Sequence, residues 1–255
     1  MIVRSLTILL LLTSVARAQA VHASYSAYAA GLNVINMDAD FSVLPEQYRI
    51  HLAYHSVGTF SLVVRTQQDT VVEGRFVRDH AVPSRFFSQG VLRGQPRVTQ
   101  IDYPGGQPSV RQLVPPNDAE RETVAPAQQA NTIDTISAMA ELVHRVNATG
   151  RCEGQAMTFD GRRLTDLHAQ TTATEVLEPT SRSSFSGPAL RCDFTGRQLG
   201  GYKLGEDREH LKRPQYGTAW FAALQPGGPK IPVRISFHTE FFGQATMYLR
   251  DTPAP

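Results

Sequence analysis

The chain has 255 residues, 41% hydrophobic and 19% charged, with a formal net charge of +2 and two cysteines. That composition supports an ordinary core and excludes a strongly cationic nucleic-acid binder, which needs a basic surface to displace counterions. Two cysteines without a C-x-x-C spacing argue against a thiolate zinc site.

The first predicted element is not part of the fold. MIVRSLTILLLLTSVARAQA begins with Arg4, continues through an apolar run from Leu6 to Val15 and ends on Ala16, Ala18 and Ala20. These three parts read as a cleaved secretory signal over residues 1–20, cut after Ala18 or Ala20. The apolar run is short of the ~20 residues that a spanning helix needs, and no later stretch approaches it, so no stable membrane span is expected. Without Arg4 and Arg17 the chain carries 23 basic and 23 acidic residues, so the mature protein is neutral. The expected location is the periplasm, where paired cysteines persist as disulfides. Cys152 and Cys192 are therefore expected to pair. The bridge would close a loop of about 40 residues and contribute roughly 4 kcal/mol in the chain-entropy model.

Residues 21–255 read as one β domain of about 235 residues. In NVINMDADFSV (33–43), Ile35, Met37, Ala39, Phe41 and Val43 alternate with Asn36, Asp38, Asp40 and Ser42. QYRIHLAYH (47–55) repeats the pattern with Tyr48, Ile50, Leu52 and Tyr54 against Gln47, Arg49, His51 and His55. Period-2 patterning predicts half-buried strands, and the Leu-Pro-Glu break predicts a hairpin that sets Asp38 or Asp40 opposite His51 or Arg49. Further strands are expected over 59–66, 70–77 and 84–92. RVTQIDY and SVRQLV flank PGGQ (104–107), and EGQAMTF and RRLTDLHAQ flank Asp160-Gly161, two more hairpin signals. Segment 114–131 is Pro-rich and polar, a surface loop. It leads into a helix predicted over 132–147, where Ile133, Ile136, Met139, Ala140, Val143 and Val146 recur at helical spacing between Asn131 or Thr132 and Gly150. Near the C-terminus, Trp220, Ala222 and Leu224, then Ile231, Val233, Ile235 and Phe237, and last Ala245, Met247 and Leu249 alternate again.

The areas do not match. About ten strands make an open sheet near ~48 Å wide, whereas one helix is about 24 Å long and about 10 Å across. The apolar face left over is too large to stand exposed. The expected fold is mainly β: a strongly curved antiparallel sheet, a half-barrel or barrel, with one central helix plugging it.

With DTISAMAEL (134–142), TFDGRRLTDL (158–167), Cys192 in a strand and the tail WFAALQPGGPKIPVRISFHTEFFGQATMYL (220–249), the chain resembles the domain of unknown function 3108 family of bacterial envelope proteins. The resemblance spans most of the mature chain. It implies an architecture like that of periplasmic lipoprotein carriers, whose curved sheet holds acyl chains against helices. It supplies no catalytic residues and no cofactor. The carriers use several helices, and this chain shows one.

Motifs for chemistry are absent. His51 and His55 lie four apart on a strand, roughly 13 Å, too far to share one ion at zinc–nitrogen distances of about 2.1 Å. Asp38-Ala-Asp40 falls on a polar face, SRSSFSG (181–187) has no nucleophile frame, and His144 is expected at the helix surface. No glycine pattern for a nucleotide cofactor appears. No metal, cofactor or catalytic residue is therefore assigned. Parity instead nominates inward, ligand-facing residues: Met37, Phe41, Ile50, Leu52, Tyr54, Met139, Val233, Ile235 and Phe237, with core packing as the competing role. The expected function is non-catalytic binding of an apolar or amphipathic ligand, a lipid or acyl chain, in cell-envelope biogenesis. The rivals are a module that docks on other envelope proteins through a strand edge and, weakest, a hydrolase with a dispersed triad.

Overall fold

The structure is a computed structural model and describes residues 20–239 and 243–251. The expected signal segment, up to Gln19, lies outside them. Thirteen strands alternate along the chain: β1 (Val21–Ala29), β2 (Leu32–Val43), β3 (Gln47–Ser56), β4 (Thr66–Val77), β5 (His80–Leu92), β6 (Gln95–Asp102), β7 (Ser109–Val114), β8 (Gly154–Phe159), β9 (Leu164–Leu177), β10 (Gly187–Gly200), β11 (Gln215–Ala223), β12 (Lys230–Thr239) and β13 (Gly243–Asp251). The long helix is α3 (Thr135–Thr149). Three single turns of helix, α1 (Phe60–Val63), α2 (Pro126–Gln129) and α4 (Arg208–Leu211), sit in connections.

All strands belong to one antiparallel sheet in the order β7-β6-β5-β4-β3-β2-β1-β13-β12-β11-β10-β9-β8. Consecutive strands pair throughout except β7 and β8, and the first and last strands, β1 and β13, pair with each other in the middle of the sheet. The two edges, β7 and β8, are thus the strands joined by segment 115–153, and the sheet does not close. Asp40 pairs with His51 in the β2–β3 register, and Asp38 faces Ala53.

Several hairpins turn in two residues with both φ positive: Ala30 and Gly31, Arg78 and Asp79, and Arg93 and Gly94. This backbone matches the right-handed strand twist. Only two of the three contain glycine, which hides such turns from the sequence. At the β8–β9 turn, Asp160 accepts hydrogen bonds from the Arg162 and Arg163 amides at 2.9 and 2.7 Å. Gly161 has φ 87°, and a Cβ there would sit 2.9 Å from the Thr99 methyl of β6. The hairpin tip therefore touches the far half of the sheet, and glycine is required both by backbone and by space.

That contact lies on a seam closed by side chains. Glu120, in the strap between β7 and α3, accepts both terminal nitrogens of Arg97 on β6 at 2.5 Å. The same carboxylate takes Arg162 of the β8–β9 turn at 3.4 Å, and Arg162 also donates to the Pro115 carbonyl at 2.8 Å. Ile133 then pairs in parallel with β8: its amide donates to Met157 at 3.1 Å and its carbonyl accepts from Phe159 at 2.8 Å. The polar loop predicted over 114–131 is a strap across the open edges.

Helix α3 starts later than predicted and runs further, Thr135–Thr149 rather than 132–147. Asp134 caps it, accepting from the Ser137 amide at 2.7 Å, because Asn131 has positive φ and Ile133 is held by β8. Gly150 ends it in the left-handed conformation, φ 72°. The helix packs against β2–β5 on one side and β8 and β12 on the other, so the sheet curls round it. Its N-terminus is moored by a buried chain: Tyr48 donates to Ser137 Oγ at 2.8 Å, and Ser137 Oγ donates to Asp134 at 2.6 Å. Burial pushes the Asp134 carboxyl up in pKa, and its Ser137 bonds pull it partly back.

Other expectations are corrected. Of the strand expected over 59–66 only Thr66 lies in one, as the start of β4. Residues 59–65 hold a helical turn and a loop, because only Phe60 of that apolar run finds an inner cluster, with Val34 and Ala29. Strand β1 was not expected, since alternating Ala and Ser carry little β signal. His144 is not a free surface group: its side chain is 13% exposed and faces Asp79. The ring stacks on Phe76 with centroids 4.0 Å apart.

Candidate functional site

Parity decides which side chains face inward, and size decides whether they fill the interior. In the half formed by β1–β6, Phe41, Tyr48, Ile50, Val72, Phe86 and Ile101 form one dense cluster, all buried. Across the sheet three inward residues are small: Ala156 on β8, Ala169 on β9 and Ala219 on β11. Helix α3 cannot reach down onto all of them, and a cavity of about 250 Å³ remains between the helix and β8–β12.

Ala138, Met139 and Leu142 form its helical wall. Leu167, Phe194, Phe221 and Ile235 complete the sheet side with the alanines. Exposed Thr135, Gln155 and His168 stand at its edge. Glu141 and Arg145 also border it, tied to each other at 3.0 Å, with Glu141 further held by the Ala81 amide at 2.7 Å. Beneath the helix C-terminal half, the Cys152–Cys192 disulfide lies fully buried among Val143, Val146 and Phe221.

Of the inward residues nominated by parity, Met139 and Ile235 line this cavity. Phe41, Ile50, Leu52 and Val233 are buried in the main cluster, with Met37 packed against it. Tyr54 lies on β3, and burial raises its phenol pKa. Phe237 is partly exposed near the end of β12. The sequence reading missed Ala138, Ala156, Leu167, Ala169, Phe194, Ala219 and Phe221. The Asp160-Gly161 hairpin and the α3 periodicity were signals for some of them, but small residues announce no site.

The opposite sheet face is polar. Arg191, Asp193, Thr218 and Trp220, whose neighbours Cys192 and Ala219 point inward, line a shallow saddle of about 830 Å³. Glu175 accepts from Arg191 at 2.7 Å and from Trp220 Nε1 at 2.8 Å, so these groups satisfy one another. On the outer face of β1–β4, His51 lies 2.8 Å from Asp69 and 3.3 Å from Asp40, and His22 lies 2.6 Å from Asp40. The hydrogen bond to Asp69 raises the His51 pKa. His55 stands apart from this ladder. Among the described residues no group of three or more His, Cys, Asp or Glu could hold a metal ion. Among the same residues no helix is long and apolar enough to cross a membrane.

A single curved antiparallel sheet around one long helix defines a β-barrel-like protein. Its fold is shared by the crystal structure of a beta-barrel-like protein of domain of unknown function DUF1849 from Brucella abortus. The two are 14% identical with a TM-score of 0.51, over 91% of this chain and 96% of that one. The family described as protein of unknown function (DUF3108) matches residues 24–250, and the chain belongs to that family. No curated protein matches the chain.

Proposed function

We propose that the protein is a non-catalytic envelope protein that holds the apolar part of a lipid or other amphipathic ligand between α3 and β8–β12. The observation that carries this reading is the apolar cavity of about 250 Å³ under α3. Ligand sites usually start near about 300 Å³, so the cavity suits one chain segment of about eight water-sized groups, at about 30 Å³ each. Its walls are largely aliphatic and aromatic, the buried Glu141 is taken up by Arg145 and the Ala81 amide, and Thr135, Gln155 and His168 stand at the exposed edge. An acyl chain would lie along the helix with its headgroup toward Thr135, Gln155 and His168. Periplasmic location, read from the N-terminal segment, belongs to the same proposal.

The test is binding of a fluorescent fatty-acid probe to the wild type and to Ala138→Phe, whose ring would occupy the cavity. The wild type should bind, and the variant should bind at least about tenfold more weakly while keeping the wild-type circular dichroism spectrum. A wild type that binds no acyl probe, or equal binding by a folded variant, would refute the proposal.

A further inference from the structure

At one end of the barrel three connections lie side by side: the β1–β2 turn, the β3–β4 connection over 57–65 and the β5–β6 turn. Backbone hydrogen bonds join them into one rim. The Val57 amide donates to Val34 at 3.0 Å, and the Gly94 amide donates to Arg65 at 3.3 Å. The outer tips stand four strands apart, about 19 Å.

This rim is apolar where it meets water. Leu62 is 86% exposed and Val63 82%, and Leu32 and Leu92 are exposed beside them. Phe60 is packed inward, against Val34 and Ala29. The loop is thus anchored, and the fold itself holds Leu62 and Val63 outward. The charge is one-sided as well. Residues 29–34, 56–67 and 91–96 contain no Asp, Glu or Lys, and contain two arginines, Arg65 and Arg93. Both are exposed, and neither makes an ion pair among the described residues. Arg182 adds a third cation, donating to the Gly31 carbonyl at 3.4 Å and lying 4.6 Å from the centroid of the Tyr28 ring.

We propose that this rim docks the protein on an anionic phospholipid surface, with Leu62 and Val63 entering the acyl boundary and Arg65 and Arg93 at the phosphates. Aliphatic tips flanked by cations are the pattern of reversible interfacial binding: apolar burial and headgroup attraction add, and neither alone suffices. The absence of acids from these three connections sets the sign of the partner they favour. The cores of protein–protein interfaces favour aromatic side chains, and the exposed apolar residues here are aliphatic. The proposal stands independently of the cavity, so the Ala138→Phe protein should dock unchanged.

The test uses the full chain labelled at position 62. Both natural cysteines are in the disulfide, so Leu62→Cys offers a unique thiol for an environment-sensitive fluorophore. Gln225→Cys, on the exposed loop at the other end, is the control and carries the same N-terminus. Phosphatidylglycerol–phosphatidylethanolamine vesicles should blue-shift the label at 62 and leave the label at 225 unchanged. Phosphatidylcholine vesicles should shift neither. Arg65→Gln and Arg93→Gln should each weaken the response about fivefold. No shift at 62, an equal shift at 225, or indifference to the arginines overturns the proposal. A shift that appears only after envelope proteins are reconstituted assigns the rim to a protein partner and overturns it too.

Discussion

In the half of the barrel formed by β1–β6, large inward side chains such as Phe41, Ile50, Phe86 and Ile101 meet one another directly. In the half formed by β8–β12, Ala156, Ala169 and Ala219 stand among larger inward residues such as Phe194, Phe221 and Ile235, and the space the alanines leave is bounded by α3. Both halves show the same strand alternation. The difference lies in side-chain volume, and it changes what stabilises each half. Close packing suffices in the first. The second has a smaller cluster, braced by the Cys152–Cys192 bridge and the underside of α3. A cavity can persist there because covalent and helical supports replace part of the missing contact.

The contrast can be broken first at the brace. Replacing Cys152 and Cys192 together with alanine removes a link across a sequence separation of 40. The expected loss is roughly 4 kcal/mol in the chain-entropy model, read by urea unfolding. Hydrogen exchange should rise in β8–β11 and much less in β2–β5, and uniform loosening would show that the halves are not separately supported.

Next, Ile50→Ala in the dense half should cost about 3 kcal/mol, because a fully buried site surrounded by large neighbours cannot collapse. Met139→Ala, which only widens an existing cavity, should cost less than half of that. Equal losses in denaturant titrations would mean that the second half is as tightly filled as the first.

The seam between the halves gives a smaller effect than the bridge or Ile50. Glu120→Gln should cost about 2 kcal/mol by leaving Arg97 and Arg162 half-buried without their shared carboxylate. Hydrogen bonds from Arg97 hold the Glu120 carboxyl below its ordinary 4.5, outweighing the upward push of burial. A depressed carboxylate contributes fully above its unfolded pKa and loses that contribution as pH falls through the folded one. The wild-type advantage should therefore be constant near neutrality and vanish in acid, as measured by melting temperature against pH. An advantage that persists in acid would mean that shape, not charge, closes the seam.

Much of this fold was legible because it is written in local periods. The alternation over 33–43 and 47–55 marks the β2–β3 pair and narrows its register to Asp38 or Asp40 opposite His51 or Arg49, of which the structure forms Asp40–His51, and Asp160-Gly161 marks the β8–β9 turn. β1 was illegible because Ala and Ser carry weak preference. The Arg78-Asp79 turn was illegible because its positive φ values have no glycine to signal them. The candidate site was harder to read than the fold. Nomination by parity favours large inward residues, and large residues fill space, so most nominees lie in the packed cluster. The cavity is defined by what Ala156, Ala169 and Ala219 fail to fill.

By itself, then, the amino-acid order determined the β class, the helix, the inward parity and the excess of apolar sheet over helical cover, since each depends on spacing along the chain. The tertiary structure alone decided that the sheet stays unpaired between β7 and β8, that Glu120 joins two arginines across that gap, and where empty volume remains. Those features depend on distances between residues far apart in sequence, which are set only when the whole sheet has curled around α3.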